Sequence, residues 1–494
     1  MQPCYTDKLE DNQVCSDCIG ENHLKNLVIQ LSDADKQCVY CGNDGPTISL
    51  RDLADLVEEA FERHFLRTEP EPDPIEYGMM HNKELNHTWE RDGQPIVDAI
   101  MGAAEISCKI SEDIQELLEE KHFDRDKKIM GEEGEFSTES YYTDITPRYH
   151  EWQTEWELFK RTIKTEARFF NKIGVTQLSD LFDTIDEMRT HREKPLIIKT
   201  GPDADCIPLY RARVFQNDER LKVAIKRPDK ELGAPPSEYA NSGRMNANGV
   251  SVFYGATSIE TALAEVRPPV GSKVVVAQFK IIRPIQLLNL TELKEVYETG
   301  SIFDPNYAYR LGRKMFLSEL SEWIARPVMP DDQEMEYLPT QAIADFLATR
   351  GKVPIDGILF RSAQVNNNGL NVVLFHKASK CKDIDIPEGA ELEAHIFPTD
   401  EDGLELDYVV CENLPSEEES SSKEASSASL NPNYQTPDTS NYDSREETLS
   451  VNLNSITVHQ ITAVKIKDSK RKVNRLKQEQ NSSSTATFED VSAI

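Results

Sequence analysis

Apolar side chains recur at helical spacing from about residue 49 to residue 193. Leu53, Leu56, Val57, Ala60 and Phe61 follow Ser49, whose hydroxyl can cap a first turn, and Ile110, Ile114, Leu117 and Leu118 repeat the pattern. A third run, Trp152, Trp156, Phe159, Ile163, Phe169, Phe170 and Ile173, is rich in aromatics. Its period already explains it as a core face rather than a cofactor contact. From Ile207 the period shortens. Residues 274–279, 284–290, 356–361 and 369–375 are β-rich, with helical stretches near 258–265 and 306–325, which predicts a mixed α/β region. After Glu412 the chain turns to Ser, Glu, Asp and Asn and leaves little to bury, so 412–447 is expected to be disordered. LSVNLNSITVHQITAVKI then alternates well enough for one or two strands returning to the sheet, and seven Lys or Arg between Lys465 and Lys477 form a basic, solvated tail.

Composition supports the unfolded segment. Hydrophobic residues are 38% of 494 and charged residues 29%, a balance more polar than that of ordinary globular chains. The formal charge of −32 opposes indiscriminate binding to nucleic acid or to an anionic membrane. No run approaches the roughly 18 apolar residues of a membrane span. The start, MQPCYTDKLEDN, lacks a cationic stretch followed by an apolar one, so a cytoplasmic protein is expected.

Four of the nine Cys form two tight pairs, Cys15 with Cys18 and Cys38 with Cys41, with 19 residues between the pairs. Two such knuckles can close a four-thiolate tetrahedral shell around a structural zinc ion, with no position left open for a substrate. Gly20 and Gly42, just after each pair, can supply the positive φ such turns need. Cys4 stands outside the pattern. The Glu-rich loop at Glu132, Glu133 and Glu135 reads as a solvated acidic face. No Arg is followed by His after four to six residues, which argues against ribonuclease chemistry of that spacing in the helical region.

The region 201–290 runs against the acidic balance, with 12 Lys and Arg against 9 Asp and Glu. A locally basic pocket suits a phosphate-bearing small ligand. Arg211 and Arg244 can each grip a pair of phosphate oxygens with a planar fork, and Gly243 and Gly249 allow close backbone approach. Tyr254 offers a flat face with a hydroxyl at its edge. Glu265 follows Ala262, Leu263 and Ala264 on a predicted helix, so partly apolar surroundings are expected for it; a structural alternative pairs it with Arg267. No G-x-G-x-x-G follows a strand, and there is no P-loop, so a dinucleotide here would be held by arginine side chains rather than a glycine loop.

Taken in order, LYRAR, GRMN, VFYGA, TALAEVRPPVG, DGILFRSAQ and GLNVVLF resemble the RES domain, a bacterial toxin family named for its Arg, Glu and Ser, over about residues 207–380. The segment ahead of it is similar to the HEPN-like N-terminal extension of some larger members. The resemblance implies an α+β fold with a mixed sheet like that of ADP-ribosyltransferases, preceded by a small zinc-binding segment and an α-helical domain. It implies cleavage of the nicotinamide–ribose bond of NAD as substrate, with inorganic phosphate, water or a protein side chain as acceptor, and an antitoxin or other protein as partner. Carried over by motif, the catalytic residues are Arg211, Glu265 and Ser362, and the ligand-binding ones Arg211, Arg244, Tyr254 and Ser362. Glu265 would stabilise an oxocarbenium-like ribose, Tyr254 would meet the nicotinamide ring, and Ser362 would donate to phosphate or ribose; without His and Asp partners it is not expected to be a nucleophile. Many members carry Trp where this chain has Met245. A different reading is a zinc-bearing interaction module that binds a nucleotide without turnover. The expected division is a Cys4 segment over 1–48, a helical domain over 49–200, the RES domain over 201–411, an insertion over 412–447, a terminal strand with basic tail over 448–478, and a disordered end over 479–494.

Overall fold

A computed structural model describes residues 9–32, 35–81, 88–145, 150–202, 204, 206–365, 369–398, 406–414, 443–465 and 468–473. Cys4, residues 415–442 of the expected disordered insertion and all of 479–494 lie outside the described residues.

The N-terminal part opens with β1 (Gln13–Cys15), β2 (Asp35–Gln37) and β3 (Asp44–Ser49), an antiparallel sheet in the order β1-β3-β2, with α1 (Asn22–Leu31) packed on it. Ser49 Oγ accepts the Asp52 N–H and starts α2 (Leu50–His64), as its sequence position predicts. Leu53, Val57 and Phe61 of that helix join Ile96 and Ile100 of α3 (Ile96–Ala104) and Ile110, Ile114 and Leu118 of α4 (Cys108–Lys121) in one buried cluster. The stretch expected to be purely helical also contains β4 (Phe65–Arg67), β5 (Gln94–Pro95) and β6 (Tyr141–Asp144), ordered β4-β6-β5. Strands this short leave no readable period. The Glu-rich loop is not wholly solvated either, because Glu133 accepts from Arg91 at 2.7 Å with both side chains largely buried.

The aromatic run divides. Trp152, Trp156, Phe159 and Ile163 are buried, whereas Phe169, Phe170 and Ile173 are exposed. The helix α5 (His150–Arg161) runs into a wide π turn over Thr162–Glu166 and stops at the extended Ala167, and α6 (Lys172–Leu181) begins only after the extended Asn171, so the register does not carry across residue 169.

An eight-stranded mixed sheet follows. Its members are β7 (Ile197–Thr200), β8 (Leu209–Phe215), β9 (Phe253–Ala256), β10 (Lys273–Ile281), β11 (Ile285–Asn289), β12 (Gly357–Arg361) and β13 (Leu370–Leu374); β14 (Glu391–Pro398) and β15 (Leu406–Asn413) form a separate hairpin. The returning strand expected after Thr448 is β16 (Leu449–Gln460), which pairs antiparallel with β10 at the sheet edge. The order is β16-β10-β8-β9-β13-β12-β11-β7, and only β11 and β12 run parallel. Neighbouring residues face opposite cores, as strand geometry demands: Ile358 and Val373 enter one cluster, Leu359 and Val372 the other.

The helix α7 (Asp218–Lys226) closes one face through Leu221, Ala224 and Ile225. On the other, the short helix α8 (Ile259–Glu265) sets Ala262 against Ala212 and Val276, while α9 (Pro305–Ala325) and α10 (Leu338–Thr349) fill the connection from β11 to β12. The buried aromatics of α5 pack in the same cluster as Phe316 of α9 and Phe346 of α10. Among the described residues no helix is long and apolar enough to cross a membrane.

Candidate active site

A cavity of about 520 Å³ opens where β8, β9 and β13 meet α8, within the usual size of small-molecule sites. Arg211, Arg244, Tyr254 and Glu265 all line it. Arg211 projects from the middle of β8 with its guanidinium 5.1 Å from the centre of the Phe253 ring. Its Nη1 is buried and has no hydrogen-bond partner among the described residues. Burial first, and then the neighbouring Arg213, pulls the guanidinium down to about 10, so at neutral pH it remains a cation. A buried cation short of a partner is costly unless an anion completes it.

Arg244 reaches the same cavity under a different constraint. Its Nη1 donates to the Ile324 carbonyl and its Nη2 to the Arg326 carbonyl at 2.7 Å, so the fork caps the C-terminal end of α9. Its guanidinium also lies 5.3 Å from the centre of the Tyr337 ring. The two arginines therefore do not form the free pair of forks that the sequence suggests. Tyr254 sits on β9 with its ring on the cavity wall and its hydroxyl turned away, accepting from Met245 N at 2.9 Å and donating to Asn246 Oδ1 at 2.8 Å. Burial pushes that phenol up. These bonds hold the turn at 243–246, where a Cβ on Gly243 would lie 2.6 Å from Asn246 Oδ1 and 2.7 Å from Tyr254 Oη; only glycine fits. Met245 is buried in the core beneath the site.

Glu265 is the last residue of α8, after Ser258 caps its start by accepting the Thr261 N–H. A carboxylate at a helix C-terminus opposes the helix dipole, so something local must offset it. Its Oε1 accepts from Ser362 Oγ at 2.5 Å and from Asn371 Nδ2 at 2.7 Å. The residue is exposed at the cavity rim, and these partners are polar, not the partly apolar surroundings expected; Ala262 and Leu263 of the same helix turn to the sheet instead. No ion pair joins Glu265 to Arg267 among the described residues, so the alternative pairing is not realised.

Ser362 follows β12 and is held by its own N–H to the Gly369 carbonyl at 2.8 Å, while Gln364 N donates to its hydroxyl at 3.1 Å. With its hydrogen given to Glu265, it does not line the first cavity; it lines an adjoining one of about 390 Å³ that shares Ala325, Phe360, Arg361 and Ala363 with the first. Asn371, on β13 and only 8% exposed, was not singled out by the sequence. Its one signal there is a polar residue inside the apolar strand of GLNVVLF, where an amide is tolerated only with a partner.

The four cysteines converge beside the N-terminal sheet of β1 to β3 and line no part of the first cavity. Their Sγ atoms all lie within 4.8 Å of one another, with Cys15 to Cys41 at 3.4 Å, Cys15 to Cys18 at 3.7 Å and Cys18 to Cys38 at 3.8 Å. Burial would raise the Cys38 thiol, but the N–H groups of Cys41, Cys15 and Tyr40 outweigh it and bring it to about 7. Gly42 adopts φ +76°, as expected of a knuckle. Gly20 does not; it is small because the Glu105 side chain would lie 2.7 Å from a Cβ there.

A mixed sheet covered on both faces, with an arginine, a tyrosine and a braced glutamate around one cavity and no glycine-rich phosphate loop, defines an α+β domain built around a small-ligand pocket. Residues 208–396 match the RES domain, and the chain carries that domain. The match spans every residue of the cavity described above from Arg211 to Asn371. It does not reach the N-terminal helices, for which the HEPN-like resemblance finds no support. No curated protein matches the chain.

Proposed function

We propose that the RES domain of this chain is an NAD-degrading enzyme that breaks the bond between nicotinamide and ribose, with phosphate or water as acceptor, and that it acts as a toxin or defence effector. The observation that carries this reading is the pairing, across one cavity, of the half-buried cation Arg211, whose buried Nη1 has no partner among the described residues, with a carboxylate at Glu265 whose Oε1 is braced by two donors. The first suits a diphosphate. The second suits a ribose on which positive charge develops.

As the bond from C1′ to the nicotinamide nitrogen breaks, its electron pair leaves with neutral nicotinamide and the ribose becomes oxocarbenium-like. Glu265 meets charge that is larger in the transition state than in bound NAD, which is the condition for catalysis rather than tight binding. Arg211 holds the diphosphate in both states. Tyr254 shapes the wall for the departing ring and fixes the 243–246 turn. Addition of water yields ADP-ribose and releases one proton; addition of phosphate yields the ribosyl phosphate.

The cysteine cluster fits a structural zinc. Four thiolates at about 2.3 Å from a tetrahedral ion stand roughly 3.8 Å apart, close to the separations found. Cys15, Cys18, Cys38 and Cys41 would hold it, and the ion would supply a cross-link, not chemistry.

Purified protein incubated with NAD, with and without phosphate, and assayed for free nicotinamide tests the enzyme reading. Release is expected, and the ribose product identifies the acceptor. Bound NAD with no nicotinamide released would favour the non-catalytic module instead.

A further inference from the structure

The brace on Glu265 has a member whose role goes beyond the residues carried over by motif. We infer that Asn371 is a positioning residue: with Ser362 it commits Oε1 of Glu265 to the protein and so presents Oε2 to the cavity as the oxygen that faces the substrate. The inference rests on the proposed NAD-cleaving reading for what that substrate is.

Three features of the site carry it. Asn371 Nδ2 lies 2.7 Å and Ser362 Oγ 2.5 Å from the same oxygen, while Oε2 has no hydrogen-bond partner among the described residues. The two donors also differ in rigidity. Ser362 sits beyond the end of β12, whereas Asn371 is 8% exposed in a central strand, with β9 and β12 paired on either side of it through Ala256 and Phe360. A side chain rooted in the sheet sets the direction of a carboxylate at a helix end more firmly than one on a loop can. Third, the geometry changes what Ser362 does. A hydroxyl whose single hydrogen goes to Glu265 cannot also donate it to phosphate or ribose, so Glu265, Ser362 and Asn371 form one unit around one oxygen.

The test pairs a turnover readout with one independent of activity. Asn371→Leu keeps size and removes the donor, and Asn371→Asp keeps size and replaces the donor with an acceptor that regains a hydrogen only when protonated. Both are expected to lower kcat for nicotinamide release by 10- to 100-fold while leaving the KM for NAD within threefold. The Asp variant should recover as pH falls, the opposite of a general loss of structure. Independently, the carboxyl carbon resonance of Glu265, assigned by its disappearance in Glu265→Gln, should move in Asn371→Leu without NAD present. A folded Leu variant with an unmoved resonance and near-normal kcat would overturn the inference. Should the Leu variant fail to fold, the direction of the Asp variant's pH profile decides, and a flat profile at reduced rate overturns it. A moved resonance in a protein that releases no nicotinamide would leave the positioning intact and sink the NAD-cleaving reading alone.

Discussion

At the scale of single residues, Arg211 and Glu265 carry opposite kinds of contribution, and their variants should separate. Glu265→Gln preserves shape and removes charge, so NAD binding should survive while turnover falls by several kcal/mol of lost transition-state stabilisation, roughly 10²–10³-fold. Arg211→Met should instead lose binding and turnover together, and it should make the protein more stable by about 1–2 kcal/mol, since it removes a half-buried cation whose buried Nη1 has no partner among the described residues. The pH dependence has the same origin. Burial lowers the Arg211 guanidinium to about 10, below its value in the unfolded chain, so above that pH the folded chain gives up the proton more readily and this residue makes stability rise with pH. Calorimetry for NAD affinity, a nicotinamide assay and urea melts of both variants check all three statements. If Arg211→Met is less stable than the parent, the guanidinium has a partner in solution and no anion is needed to complete it. These residue types were legible in sequence because the chemistry needs them: a planar cation, a carboxylate, an aromatic edge. Asn371 was not, since its meaning comes from the register of β13 against β9 and β12, which a single strand does not reveal.

Elements show where pattern reading succeeds and where it stops. Long periodic stretches such as α2 and α9 were readable, and so were β10, β12 and β13, because burial repeats along each of them. The three short strands of the β4-β6-β5 sheet were not, and the aromatic run failed at residue 169 because the helix ends in a π turn before it. The capping of α9 by Arg244 was equally hidden, since it joins residues 80 apart in sequence. The cysteine knuckles lie at the legible end, as their spacing alone brings two pairs together. Metal analysis of protein purified without chelator should find about one zinc per chain. Cys38→Ser should lose it and loosen β1 to β3, seen as faster amide exchange over residues 9–50. Nicotinamide release should persist, because the cavity draws no residue from that sheet. Retention of the metal by Cys38→Ser, or a metal content near zero in the parent, would remove the cross-link.

At the scale of the whole molecule, the boundary expected at residue 200 falls where the packing is continuous. Trp152, Trp156, Phe159, Ile163, Leu178, Leu181, Phe182, Ile185, Met188 and Leu196 share one buried cluster with Leu288, Phe316, Phe346 and Phe360 of the α+β domain. Ten large side chains at roughly 1.5–3 kcal/mol each amount to about 15–30 kcal/mol of burial before chain entropy is subtracted, as large as or larger than the ~5–15 kcal/mol by which a domain is stable. They cover α9 and α10, and α9 in turn supplies the carbonyls that hold Arg244 at the cavity. A chain truncated to residues 201–473 should therefore expose that face, aggregate or melt early, and release no nicotinamide. One beginning at residue 150 should keep the fold of the sheet and, on the proposed function, its activity, even though it lacks the cysteine cluster. The expected order in thermal stability is full chain, then 150–473, with 201–473 far below, measured by circular dichroism melts alongside the nicotinamide assay. A stable and active 201–473 chain would mean that the sheet and its own helices suffice, and that the aromatic helix is a cover the site does not need.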